Sequence, residues 1–92
     1  MADISITQPH AMTMEDARTA AQSVADKLTA EFGITYRWEQ NMLVFQRAGV
    51  DGALTLHANE AQLELKLGLM LKGFSAMIEE KLARKMKSAF AQ

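Results

Sequence analysis

The 92-residue chain is 49% hydrophobic and 23% charged with a formal net charge of -1, a balance of folded globular domains that excludes the disordered class. This length predicts a single domain over residues 1–92, one that buries about two thirds of its unfolded surface and is modest in stability. The lack of cysteine excludes a disulfide framework and a thiolate metal site, and near-neutral charge argues against non-specific nucleic-acid binding.

In chain order, residues 3–7 (DISIT) alternate polar with apolar so that Ile4 and Ile6 share a face, and Pro9 removes a ladder donor, which predicts a short strand. Thr13 followed three residues later by Asp16 has the form of an N-cap box, with Glu15 and Asp16 suited to the positive end of a helix dipole. Met14, Ala17, Ala21, Val24, Leu28 and Phe32 recur at intervals of three and four, and Gly33 stands where a left-handed cap belongs, so a helix is expected over 13–32. TYRWE (35–39) puts Tyr36 and Trp38 on one face, Gln40 and Asn41 turn the chain, and MLVFQR (42–47) completes a hairpin. Gly49 and Gly52 are expected to flank a second turn at Val50 and Asp51. ALTLH (53–57) and QLELKL (62–67) then send Leu54, Leu56, Leu63, Leu65 and Leu67 inward, with Glu64 and Lys66 outward.

Residues 67–74 (LGLMLKGF) abandon the alternation for an apolar run broken by two glycines. They are expected to be a join whose apolar side chains are mostly core, with Phe74 opening the stripe Phe74, Ile78, Leu82, Met86 and Phe90 of a closing helix from about residue 75. The assembled order reads as β-α-β-β-β-α. This is an α+β fold, with a four-stranded, mainly antiparallel sheet and two helices packed on one face. More than one neighbour is open to the first strand.

No cationic leader precedes an apolar core, and no apolar run approaches the roughly 20 residues of a membrane span, so a cytoplasmic protein is expected. Charge is nonetheless uneven. Residues 1–71 hold five Lys or Arg against nine Asp or Glu (-4), and residues 72–92 hold five against two (+3).

Catalytic and cofactor chemistry is sparse. His10 and His57 carry the side chain suited to proton transfer near neutrality, yet neither has a nucleophile, acid partner or convergent ligands in view, so surface or turn roles are expected, with no cofactor and no metal. Asp51 beside Gly52 matches no phosphate or calcium loop and reads as turn chemistry. Met14, Met77 and Met86 fall on or beside helical apolar stripes and read as core filling. Tyr36 and Trp38 could stack on a ligand or pack on the sheet. In the last helix Lys81, Arg84 and Lys85 border the apolar stripe as exposed cations, a layout that suits an apolar–polar boundary and equally the negative end of a helix dipole.

The stretches QPHAMTMEDAR, FGITYRWEQNMLVFQRAGVDGALTL and LELKLGLMLKGFSAMIEEKL together resemble the polyhydroxyalkanoic acid system proteins, small bacterial proteins tied to polyester-granule metabolism, across nearly the whole chain. The specific parts are the Pro-His near the start, Tyr36, Trp38 and Glu39, the run Phe45, Arg47, Gly49, Val50 and Gly52, and Leu67, Gly68 and Leu71. The resemblance implies a setting in polyhydroxyalkanoate storage and brings no catalytic motif.

The function expected is therefore that of a non-enzymatic accessory protein that binds the granule surface or a granule-associated partner. Leu69, Met70, Lys81, Arg84 and Lys85 are the contact candidates, and His10, Tyr36 and Trp38 are ligand or structural candidates. The alternative is a small binder of an acyl or hydroxyacyl ligand in an apolar sheet–helix pocket. An enzyme using His10 or His57 as a base is the weakest reading, and a homodimer is the expected oligomer.

Overall fold

The computed structural model of the chain describes residues 2–90. Strands β1 (Ile4–Pro9), β2 (Thr35–Glu39), β3 (Met42–Arg47), β4 (Val50–Leu56) and β5 (Glu60–Leu67) form one sheet; the helices are α1 (Met14–Phe32), α2 (Leu69–Lys72) and α3 (Ser75–Phe90). The sheet thus has five strands in the order β1-β5-β4-β3-β2, not four. The hairpin of residues 35–47 supplies two paired strands, Tyr36 opposite Phe45 and Trp38 opposite Leu43, so the predicted element order is one strand short. Every neighbouring pair is antiparallel. β1 lies at the edge beside β5, which settles the neighbour that the crossover rule left open.

The local chemistry of α1 is as the sequence dictates. Thr13 Oγ1 accepts the Asp16 N–H at 3.1 Å, and Gly33 closes the helix in the left-handed region at φ 67°, donating to the Thr29 carbonyl at 3.0 Å. Ala17, Ala21, Val24 and Leu28 are buried. α1 packs over β4 and β2, while α3 packs on α1 and on β1. Both long helices therefore cover one face of the sheet, and the core between the layers holds Leu43, Phe45, Leu54, Leu63 and Leu65 from the strands and Leu82, Met86 and Phe90 from α3. Outward residues such as Glu64 and Lys66 are exposed.

Two details depart from expectation. The second turn is Ala48 and Gly49, with Gly49 at φ 84°, while Val50, Asp51 and Gly52 belong to β4. Gly52 faces Phe45 on one side and Leu65 on the other, and a side-chain carbon there would collide with the Glu64 carbonyl and the Leu65 side chain. Its role is close approach of β4 to β5, not turning. The segment 67–74 is the second departure. It contains α2, none of whose four residues is fully buried, and it is considered below.

Candidate functional site

Gly49 and Gly68 meet backbone to backbone. The Gly68 N–H donates to the Gly49 carbonyl at 2.8 Å, and a Cβ on Gly68 would stand 3.3 Å from the Gly49 Cα. This contact fixes the end of β5 against the β3–β4 turn and throws α2 outward as a corner. Asp3 anchors its base: Oδ2 accepts the Leu67 N–H at 2.7 Å, and Oδ1 lies 4.0 Å from the Lys72 Nζ.

On this corner Leu69 is 89% and Met70 91% exposed, and just beyond it Phe74 and Met77 are each 52% exposed. These four are the exposed large hydrophobic side chains of the described residues, and all fall between positions 69 and 77. Most of the apolar content of 67–74 is thus not core. Leu67 is buried and Leu71 half-buried, whereas Leu69, Met70 and Phe74 face solvent. The reason is geometric: a single turn of helix at the edge of the layers can turn only one side chain, Leu71, back toward the core. Met77 is likewise outside the core that Met86 fills.

Behind the corner a cleft of about 290 Å³ opens between the two long helices and the sheet. Val50, Leu65 and Leu67 form its floor, Leu28 and Phe32 line it from α1, Ile78 and Leu82 from α3, and Leu71, Phe74 and Met77 lie on the corner side. Arg47 is its one charged lining residue. A second hollow shares Arg47 and Leu71 with it and continues to Gly49, Leu69 and Met70.

The basic border of α3 is less free than its sequence suggests. Lys85 Nζ donates to Glu31 Oε1 at 2.8 Å, its side chain only 16% exposed, so it ties α3 to α1 and is not an exposed cation. Arg84 pairs with Glu80 one turn back at 2.6 Å. Lys81 makes no ion pair among the described residues. Lys27 of α1 lies in the same shallow depression as Lys81, Arg84 and Lys85. The Lys85 hydrogen bond holds the Glu31 carboxyl below its ordinary pKa against partial desolvation, with Lys85, Lys81 and Lys27 adding attraction.

His10, Tyr36 and Trp38 are built into the fold. His10 is buried; its Nδ1 accepts the Met12 N–H at 3.1 Å, which leaves Nε2 to donate to the His57 carbonyl at 3.1 Å, and its ring lies 5.8 Å from that of Phe90. It clasps the end of β1 to the end of β4 and to the last turn of α3, which gives the Pro-His a structural reason and corrects the expected surface or turn role. The His57 side chain is exposed. Trp38 Nε1 donates to Gln22 Oε1 at 2.9 Å, the Arg18 guanidinium covers its ring at 4.2 Å, and Tyr36 Oη donates to Asp26 Oδ1 at 2.7 Å while Gln22 Nε2 donates to Tyr36 and Asp26. The bond to Asp26 and partial desolvation raise the Tyr36 pKa. This network fastens β2 to α1. Arg18 also donates to the Gln40 carbonyl at 2.6 Å and so steadies Gln40, the described non-glycine residue at positive φ.

The sequence pointed to Leu69 and Met70 and to the cations. It missed Phe74 and Met77, because a four-residue spacing reads the same whether or not the first turn of a helix overhangs the layer beneath it. It missed Arg47 and Lys27, because their neighbours in the cleft and the basic depression come from elements distant in sequence. Among the described residues no group of three or more His, Asp or Glu side chains is placed to hold a metal ion, and no helix is long and apolar enough to cross a membrane.

No curated protein and no solved structure matches the chain. A family model described as "putative polyhydroxyalkanoic acid system protein" matches residues 4–90, a span that includes the corner, the cleft and the basic flank. The chain belongs to that polyhydroxyalkanoic acid system family.

Proposed function

We propose that the protein is a non-enzymatic accessory of polyhydroxyalkanoate storage in the cytoplasm, one that binds the polyester granule surface or a granule-associated protein through the α2 corner. The observation that carries this reading is the gathering of Leu69, Met70, Phe74 and Met77 in one exposed segment. Isolated apolar side chains on a surface need no explanation, but a contiguous set on a small domain is a docking feature. Leu69 and Met70 lead, Phe74 and Met77 extend the apolar strip along the start of α3, and Lys81 and Arg84 follow on the same flank of that helix. Apolar residues would meet the polymer and the cations its polar or anionic border.

Fractionation tests it. When native granules are spun out of a lysate the chain should pellet with them, and a chain wholly in the supernatant refutes direct binding. A second copy of the chain is the competing occupant of the corner. Light scattering at high concentration separates the two: a dimer that Leu69→Glu dissolves assigns the corner to self-association, and a monomer leaves it to the granule.

A further inference from the structure

The cleft behind the corner is lined by apolar side chains except at Arg47. Its volume of about 290 Å³ falls just below the range of drug-sized ligand pockets, which begins at about 300 Å³, and so suits a slender ligand. Arg47 is exposed at the end of β3 and donates through Nη1 to the Phe32 carbonyl at 2.6 Å. It makes no ion pair to a carboxylate among the described residues. One bond to a backbone oxygen leaves its remaining N–H groups open, in a fork that matches a carboxylate.

We propose that this cleft binds a single-chain anionic amphiphile, an acyl chain ending in a carboxylate. The chain lies along Val50, Leu67 and Ile78 and the carboxylate meets the Arg47 guanidinium. Charge decides the class of head group. The last carbonyls of α1 make that end of the cleft negative, so without Arg47 the opening would repel an anion, and with it an anion is preferred. Because the Phe32 carbonyl fixes the guanidinium, little side-chain freedom is lost when a carboxylate arrives. The cleft shares Phe74 and Met77 with the granule contact but not Leu69 and Met70, which do not line it, so substitution at those two separates the sites.

Calorimetric titration of the full chain with decanoate, decyltrimethylammonium and acetate, all below micellar concentrations, tests it. Decanoate should bind once per chain, the cation more weakly, and acetate not detectably. Arg47→Gln should weaken decanoate about three- to tenfold, the span between an exposed ion pair and a charge-assisted one, without weakening the cation. Ile78→Trp, which fills the cleft from a half-buried position, should abolish decanoate binding. Arg47→Lys keeps the charge and loses the fork, so its affinity should lie between those of the parent and Arg47→Gln, which serves if Arg47→Gln loosens the end of α1. No decanoate binding by the parent, equal binding of anion and cation, or an unchanged affinity in a folded Ile78→Trp variant overturns the proposal. Loss of granule binding in Leu69→Glu with decanoate affinity intact separates this site from the granule contact.

Discussion

His10 is held by a backbone N–H, a backbone carbonyl and an aromatic ring, and its substitution is the sharpest single-residue test of the clasp. His10→Ala leaves the Met12 N–H without its acceptor and removes the ring from Phe90. A loss of about 2–4 kcal/mol in urea unfolding is expected, combining an unsatisfied donor with a partly filled hole; a loss below about 0.5 kcal/mol would return His10 to the surface class. Gly52→Ala should also destabilise, by about 1–3 kcal/mol, because the added methyl meets the backbone of β5, which cannot move aside, as well as the Leu65 side chain. Glu31 supplies a pH dependence. Its folded pKa is depressed, so its contribution is present above the unfolded carboxylate range and is lost as pH falls through the lower folded value. Thermal melts between pH 7 and about pH 3 should show a smaller acid loss in Lys85→Met than in the parent, and equal losses would mean that the Lys85–Glu31 bond is absent in solution.

At the scale of elements, the corner separates stability from exposure within a few residues. Leu82→Ala removes a fully buried side chain of α3 and should cost about 2–5 kcal/mol, whereas Leu69→Ala should stay within about 0.5 kcal/mol of the parent by chemical denaturation. Most elements were legible because their signals are local. The Thr13 cap, the Gly33 stop and the period of α1 leave little choice, and the alternation of Leu63, Leu65 and Leu67 fixes which face of β5 is inward. The strand segments themselves are legible, including both arms of the 35–47 hairpin, and only their sum in the order β-α-β-β-β-α falls one strand short. The corner failed for a different reason: whether Leu69, Met70 and Phe74 are covered depends on where the helical layer ends, and that is set by the Gly49–Gly68 contact between residues far apart in sequence. Lys85 shows the same limit, since its partner Glu31 lies on another helix.

Across the whole molecule, the two long helices on one sheet face leave the α2 corner overhanging one end of the layers, with the cleft behind it and the partly paired cations of α3 beyond. An acidic first part of the chain and a basic last part favour one orientation toward an anionic border. Charge reversal at Lys81 and Arg84 should therefore weaken granule binding most at low salt while leaving the melting temperature unchanged, and Lys85→Glu, set against Glu31, should lower the melting temperature instead. The central claim, that the exposed side chains of α2 make the contact, is tested most directly by co-sedimentation of native polyester granules with the parent and with Leu69→Glu/Met70→Glu, each matched for melting temperature. The parent should pellet with the granules and the double variant, equally stable, should remain in the supernatant; a double variant that pellets as completely as the parent would contradict the account.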